Sequence, residues 1–363
     1  MLLQPLHHKH KDEYHAKFVD FWGWQAVEQY TSVEDELNLI KEKAGLCDES
    51  FVPVFVVVGR DAFKLLQKLA VADLKKISPG RLIYTSFLDE SAKMIDDNTI
   101  LWVDDDYFII NSSFPRENTI AWINKRAAGL CAHVTEMPFA VFSMQGPKSR
   151  GIAHKAVDVS GLPYAGVKRV KIGRVPVILA RFGYSGELGY EFYCAPQYAY
   201  ELWDAMMELG KDYGLRPYGV ATANAISLEK GFLMDVDFYE GGTHLEYGLG
   251  WTVGWNKDFI GKKALLKRKK EGLKTRLMGF EVLDPAVTAT KGDKLFKDGK
   301  TVGEVTHGAH GFRVKKNLGR GSVNIEYAKA GEELAMEHGG SRVKVRLAPS
   351  YRWYDPENKI LRS

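Results

Sequence analysis

Arg181-Phe-Gly-Tyr-Ser-Gly-Glu-Leu-Gly-Tyr-Glu191 sets two tyrosines, Tyr184 and Tyr190, and two carboxylates, Glu187 and Glu191, around three glycines. Glycine permits turns and close backbone approach that other residues resist. A tyrosine ring stacks on or edges a flat ligand, and a carboxylate accepts hydrogen bonds from ring N–H and amino groups. The segment suits a flat, nitrogen-rich heterocycle of the pterin type. An ordinary glycine-rich hairpin with a half-buried tyrosine is the other reading it admits.

Outward from this turn the chain mixes helices and strands. Thr31 and Glu34 have capping-box spacing, and Val33, Leu37, Ile40 and Ala44 recur at helical spacing before Gly45. Asp61 opens a second helix with Ala62, Leu65, Leu66 and Leu69 on one face, and Pro196 opens a third carrying Ala199, Leu202, Trp203 and Met206. Residues 51–58, 99–103 and 107–110 read as strands, the last two joined by Asp104-Asp105-Asp106. Beyond a basic helix over 262–271 the character changes. Asp298-Gly299 and Gly339-Gly340 each separate two strand-like runs, as tight hairpin turns do, so residues 273–363 are expected to form a small all-β unit.

Composition narrows the function classes. A chain of 363 residues with 45% hydrophobic content supports a large core and about two or three structural units. The apolar run 51–58 is broken by Pro53 and falls well short of the roughly 20 residues a membrane span needs. No charged-then-apolar leader opens the chain, so a cytoplasmic protein without a membrane partner is expected. A formal charge of +4 does not suggest nucleic acid as a partner. Cys47, Cys131 and Cys194 are widely spaced and form no CxxC pair, which points to free thiols and no metal site. His7, His8, His10 and His15 read as a solvated start of the chain.

Ala92-Lys-Met-Ile-Asp-Asp97, Tyr107-Phe-Ile-Ile-Asn111, Ser143-Met-Gln-Gly-Pro147, the 181–191 turn, Gly250-Trp-Thr-Val-Gly-Trp255 and Asp258-Phe-Ile-Gly-Lys-Lys-Ala-Leu265 follow one another in that order. In these motifs, and over nearly its whole length, the chain resembles the T protein of the glycine cleavage system. The resemblance implies an α+β fold in a ring-like arrangement: a folate-binding module of two mixed α/β subdomains over residues 1–272 and a C-terminal β-barrel over 273–363. It implies tetrahydrofolate in a central channel, with Asp97 as the catalytic carboxylate next to the reactive folate nitrogens and Asp96 as its orienting neighbour. It assigns the pterin to Asn111 and Glu191, and channel-lining positions to Tyr84, Tyr164, Tyr184 and Tyr354, with Tyr84 also available to act on the leaving group.

The residue types suit those roles. An ionised Glu191 accepts two charge-assisted hydrogen bonds from the N–H and amino edge of a reduced pterin, and Asn111 meets a neighbouring donor and acceptor together. A carboxylate that moves protons during group transfer contributes about a hundred- to ten-thousand-fold in rate.

Departures from the family pattern fall on the side that selects the one-carbon donor. Gly-Ala-Arg-Asp and Leu-Arg-Leu-Glu-Ala-Gly are replaced by residues 220–224 and 226–231, which leaves Ala223 and Ser227 where arginines are expected. Asp-Val-Ser-His has become Asp48-Glu-Ser-Phe51, and Thr-Ser-Gly has become Thr306-His-Gly308. A less cationic, more apolar donor side points to a small O-, S- or N-methylated donor and to a methyltransferase or demethylase. A divergent aminomethyltransferase using a lipoyl carrier protein and a non-catalytic folate-binding protein are the alternatives. His307 and His310 are read as exposed loop histidines, with proton donation by His307 as the functional alternative.

Overall fold

The computed structural model describes the backbone of residues 1–363 and every side chain other than that of residue 118. The chain forms two compact units, one of residues 1–86, 96–223 and 358–363, the other of residues 87–95 and 224–357.

Two sheets make the frame of the first unit. A six-stranded sheet runs in the order Val167–Ile172, Val175–Ala180, Gly189–Cys194, Ala140–Gln145, Gly45–Asp48, Arg216–Pro217, antiparallel except for its last pair. A five-stranded sheet runs in the order Arg81–Leu88, Met94–Asp104, Tyr107–Ser112, Val54–Val58, His133–Glu136. Side chains alternate along a strand, so each sheet has two distinct faces. Val141, Ile178, Ala180 and Tyr193 from the first pack against Val54, Val56, Leu101 and Ile109 from the second. On its other face the six-stranded sheet presents Phe142, Met144, Tyr190 and Phe192 to Leu202, Trp203 and Met206 of the helix Ala199–Gly210. Each such fully buried side chain stabilises the fold by about 1.5–3 kcal/mol.

The helix starting near Thr31 forms, with a different cap. Ser32 is extended and its hydroxyl accepts the N–H of Asp35 at 3.1 Å, so the helix is Val33–Glu42. Glu36, not Glu34, reaches back. Its Oε1 accepts the N–H groups of Tyr30 (2.7 Å) and Thr31 (3.0 Å), and its Oε2 accepts the N–H of Gly219 (2.9 Å) and the hydroxyl of Thr222 (2.7 Å). One buried carboxylate therefore ties together the starts of Val33–Glu42 and of Val220–Lys230. The apolar run expected as a strand over 51–58 enters the sheet only at Val54; Pro53 has no N–H to give a ladder, and Phe51 packs in a separate cluster with Ala26 and Val220. The N-terminal histidines divide. His8 and His15 are exposed as expected, but His7 and His10 are buried, and His10 lies 3.0 Å from Asp48 Oδ2 and 2.9 Å from the Tyr30 hydroxyl.

The second unit contains a closed six-stranded barrel in the order Thr275–Val282, Lys316–Asn324, Lys300–Gly311, Lys294–Lys297, Glu333–His338, Ser341–Leu347. Asp298 and Gly299, with φ of 50° and 79°, and Gly339 and Gly340, with 56° and 80°, take the left-handed backbone that two-residue hairpins require. Phe280, Leu295, Met336 and Val345 fill the barrel. His307 and His310 lie on the strand Lys300–Gly311 and not in a loop. His307 is half-buried with Nδ1 3.1 Å from Arg320 Nη2. Burial and then the Arg320 charge push its pKa down to about 4, so it is neutral at physiological pH and is no titrating acid there. Among the described residues no helix is long and apolar enough to cross a membrane.

Replacing Glu36 by Gln puts an amide N–H₂ against backbone or hydroxyl donors that now have no acceptor. Glu36→Gln is expected to destabilise the protein by about 3 kcal/mol, read from urea unfolding midpoints. A loss below about 0.5 kcal/mol would show that the carboxylate clamp is dispensable.

Candidate functional site

The inner faces of the two sheets in the first unit are apolar over most of their area and polar at one end. Asp97 shares its face of Met94–Asp104 with Leu101 and Val103, and Asn111 shares its face of Tyr107–Ser112 with Ile109, all three apolar residues belonging to the inter-sheet core. From the other sheet, Glu191 lies two residues before Tyr193, which belongs to the same core. Alternation alone thus aims Asp97, Asn111 and Glu191 into the space between the sheets.

Tyr84 donates its hydroxyl to Asp97 Oδ1 at 2.6 Å, and Ser86 donates to the same oxygen at 3.0 Å. Asp97 is 3% exposed. Burial raises its pKa to about 7, against the lowering effect of the Tyr84 and Ser86 hydrogen bonds. Asp96 points to the opposite face, where Ser112 donates to its Oδ1 at 2.7 Å and Asn98 to its Oδ2 at 3.0 Å. Asp96 holds neighbouring strands together at that point, and no hydrogen bond from it orients the Asp97 carboxyl.

Asn111 and Glu191 meet through a residue that the motif reading passed over. Asn111 Nδ2 donates to the Tyr193 hydroxyl at 2.8 Å, and that hydroxyl donates to Glu191 Oε2 at 2.5 Å. Burial raises the Glu191 pKa to about 7, with the Tyr193 hydrogen bond opposing it. Tyr164 is half-buried, 6.2 Å from Phe182 between ring centres, and feels both Arg362 and Glu191. Tyr184 is half-buried in the turn. Tyr354 belongs to the second unit, where the Arg313 guanidinium lies 4.4 Å from its ring centre.

One glycine of the turn does the job expected, and two do another. Gly186, with φ of 73°, supplies a left-handed bend. Gly183 and Gly189 instead clasp Gln145: a Cβ on either would sit 2.0 Å from its amide. Gln145 donates to Ser143 Oγ at 2.9 Å and accepts from the Ser185 hydroxyl at 2.7 Å, which fastens the turn to the end of the strand Ala140–Gln145. Tyr190 is fully buried on the outer face among Phe142 and Phe192, so of the two turn tyrosines only Tyr184 remains to meet a ligand. Period-two spacing was the signal for the missed residues, since Tyr193 follows Glu191, and Ser86 follows Tyr84, by two. Among the described residues no group of three or more His, Cys, Asp or Glu side chains is placed to hold a metal ion.

Residues 6–257 match the family model of the GCVT N-terminal domain, and residues 275–355 match that of the glycine cleavage T-protein C-terminal barrel domain. An aminomethyltransferase of Halothermothrix orenii is 33% identical over 338 residues, which cover 92% of this chain and 94% of the relative. One of Clostridium botulinum is 32% identical over 357 residues, 96% of each protein. The crystal structure of glycine cleavage system aminomethyltransferase T from Bartonella henselae has the same fold, with a TM-score of 0.90 at 23% identity and coverage of 97% of this chain and 98% of that one.

The Asp97 carboxyl has a direct consequence for stability. Its folded value of about 7 lies above the ordinary 3.8, so the folded state binds this proton more tightly than the unfolded chain does. The group supports folding below pH 3.8, and that support is lost as the pH rises through about 7. Asp97→Asn, which never ionises, is expected to match the wild type within about 1 kcal/mol at pH 4 and to exceed it at pH 8 by up to about 4 kcal/mol. Urea unfolding at the two pH values checks this. A variant that is no more stable than wild type at pH 8 would contradict the burial argument.

Proposed function

The chain belongs to the glycine cleavage T-protein family, and from that premise we propose that it transfers a one-carbon unit to tetrahydrofolate with Asp97 as the proton-handling group. One-carbon transfer is the activity of the family. The observation that carries the proposal is the Asp97 carboxyl itself, buried, hydrogen-bonded by Tyr84 and Ser86, and with its pKa raised to about 7. A general acid–base group works best with its pKa near the working pH. Both donors engage Oδ1, so Oδ2 is the oxygen that faces the reacting nitrogens in this reading.

The donor set fits a reduced pterin. Glu191 accepts from the amino and ring N–H edge, Asn111 spends one N–H on Tyr193 and keeps its carbonyl oxygen as an acceptor, and Tyr193 holds the two in register. Tetrahydrofolate supplies the nitrogens that receive the one-carbon unit. Tyr84 restrains the carboxyl and, as a hydroxyl donor, stands available to the leaving group.

For the donor, the relatives named aminomethyltransferase, about one-third identical over nine-tenths or more of the chain, favour an aminomethyl group carried on the lipoyl arm of a carrier protein. This displaces the small methylated donor expected from the sequence departures as the first reading. The methylated donor stays as the second reading because of Phe51. That ring is 6% exposed and packs 4.8 Å from the Phe21 ring, so the position of the expected histidine is apolar. Ser227, at an expected arginine position, returns its hydroxyl to the Asn224 carbonyl at 2.7 Å and supplies no cation.

Turnover with tetrahydrofolate separates the two. Aminomethylated lipoyl carrier protein is expected to yield ammonia and methylene-tetrahydrofolate, and Asp97→Asn to lower that rate by about a hundredfold or more while tetrahydrofolate affinity stays within a few-fold. Methyl-tetrahydrofolate formed from a methoxy, methylthio or methylamino compound, with none from the carrier, overturns the aminomethyl reading. Unchanged turnover in Asp97→Asn removes Asp97 from the mechanism.

A further inference from the structure

Where the family pattern Asp-Val-Ser-His places valine, this chain has Glu49. Glu49 extends the strand Gly45–Asp48, giving its N–H to Val141 O at 2.8 Å, and lies two residues beyond Cys47. Cys47 pairs with Ser143, and Ser143 with Glu191, across adjacent strands. Directly paired residues share a face, so Glu49, Ser143 and Glu191 stand on the same wall of the site. Glu49 is only half-buried, so a ligand can reach it.

We propose that Glu49 is a second pterin-recognising side chain, which gives a carboxylic acid O–H to the ring acceptor next to the N–H edge that Glu191 takes. This rests on the folate reading above. On a reduced pterin the amino group and the ring N–H adjoin a carbonyl oxygen, which makes a donor, donor, acceptor edge. Glu191 as carboxylate and Glu49 as carboxylic acid make the complementary acceptor, acceptor, donor edge. A second carboxylate ion would repel the carbonyl oxygen, and valine would leave it unpaired.

The surroundings keep the proton on Glu49. Burial, then the charge of Glu191, then that of Asp48 push its pKa well above the usual carboxylate range, and only the Ser143 hydroxyl opposes them. The other titratable groups that feel its charge are Cys47, Tyr193 and Tyr218, which are acids themselves, so none of these described neighbours is a cation that draws the proton away. Two carboxyl groups on one water-poor wall ionise one at a time.

Calorimetry with tetrahydrofolate on the full chain tests this across pH 7 to 9, comparing wild type, Glu49→Gln and Glu49→Val. Glu49→Gln keeps a donor and does not titrate. It is expected to bind within about threefold of wild type at pH 7 and to hold that affinity as the pH rises, while wild type weakens as Glu49 ionises. Glu49→Val is expected to bind about tenfold more weakly at pH 7, the loss of one hydrogen bond. Thermal melts by circular dichroism establish that each variant is folded, and valine is the residue the family pattern carries there. Folded Glu49→Val that binds as tightly as wild type at every pH overturns the role of Glu49 and leaves the folate reading intact. Wild type that does not bind tetrahydrofolate overturns the folate reading, and this proposal with it.

Discussion

The antiparallel pairing of Ala140–Gln145 with Gly189–Cys194 on one side and Gly45–Asp48 on the other is the constraint from which the site follows. Strand side chains alternate, so a slip of one residue would turn Ser143, Glu191 and Tyr193 into the outer core and bring Phe142, Tyr190 and Phe192 into the space between the sheets. The large apolar residues on the outer face, packed against Trp203 and its neighbours, make such a slip costly. Gln145 adds a local lock. Its amide fits only where Gly183 and Gly189 have no side chains, so the turn can close over the strand end in one register.

The polar groups of the site are a continuation of the hydrophobic inter-sheet core and not a patch on the surface. That placement explains their electrostatics. Asp97 and Glu191 are 3% exposed each, with no cationic side chain among the described residues bonded to either, and in a medium poor in water the charged form of a carboxyl group is disfavoured. Hydroxyl donors from Tyr84, Ser86 and Tyr193 recover part of the lost hydration without neutralising the groups. A fold that wanted only stability would place apolar side chains here. The buried acids cost stability near neutral pH, a local conflict of the kind expected at a functional site.

Membership of the T-protein family and the departures from its pattern act on different parts of the same site. Asp97, Asn111 and Glu191 occupy the family's motif positions, while Glu49 and Phe51 alter the segment that borders them. Phe51 is withdrawn into a cluster with Ala26 and Val220, and Glu49 stays on the wall beside Ser143. The same four-residue segment has therefore lost a polar side chain at one position and gained one at another. Asp48 anchors it, receiving the Ser50 N–H at 3.0 Å and lying 3.0 Å from His10.

The sequence by itself determined the α+β division, the hairpins of the barrel, the main helices and the family, because these depend on local periodicity, turn chemistry and collinear motifs that neighbouring residues carry. The family resemblance also singled out Asp97, Asn111 and Glu191, while Tyr193 and Ser86 went unnamed although period-two spacing places them on the faces of Glu191 and Tyr84. Only the tertiary structure decided which face of each strand turns inward, and with it that Tyr190 is core while Tyr193 bridges Asn111 to Glu191. The same holds for His10 beside Asp48, for Glu36 clamping Gly219 and Thr222, and for the glycines that make room for Gln145. Apart from the Tyr193–Glu191 bond, these contacts join residues about 35 to 190 positions apart, and a pKa near 7 at Asp97 arises from burial between the sheets, which no local pattern encodes.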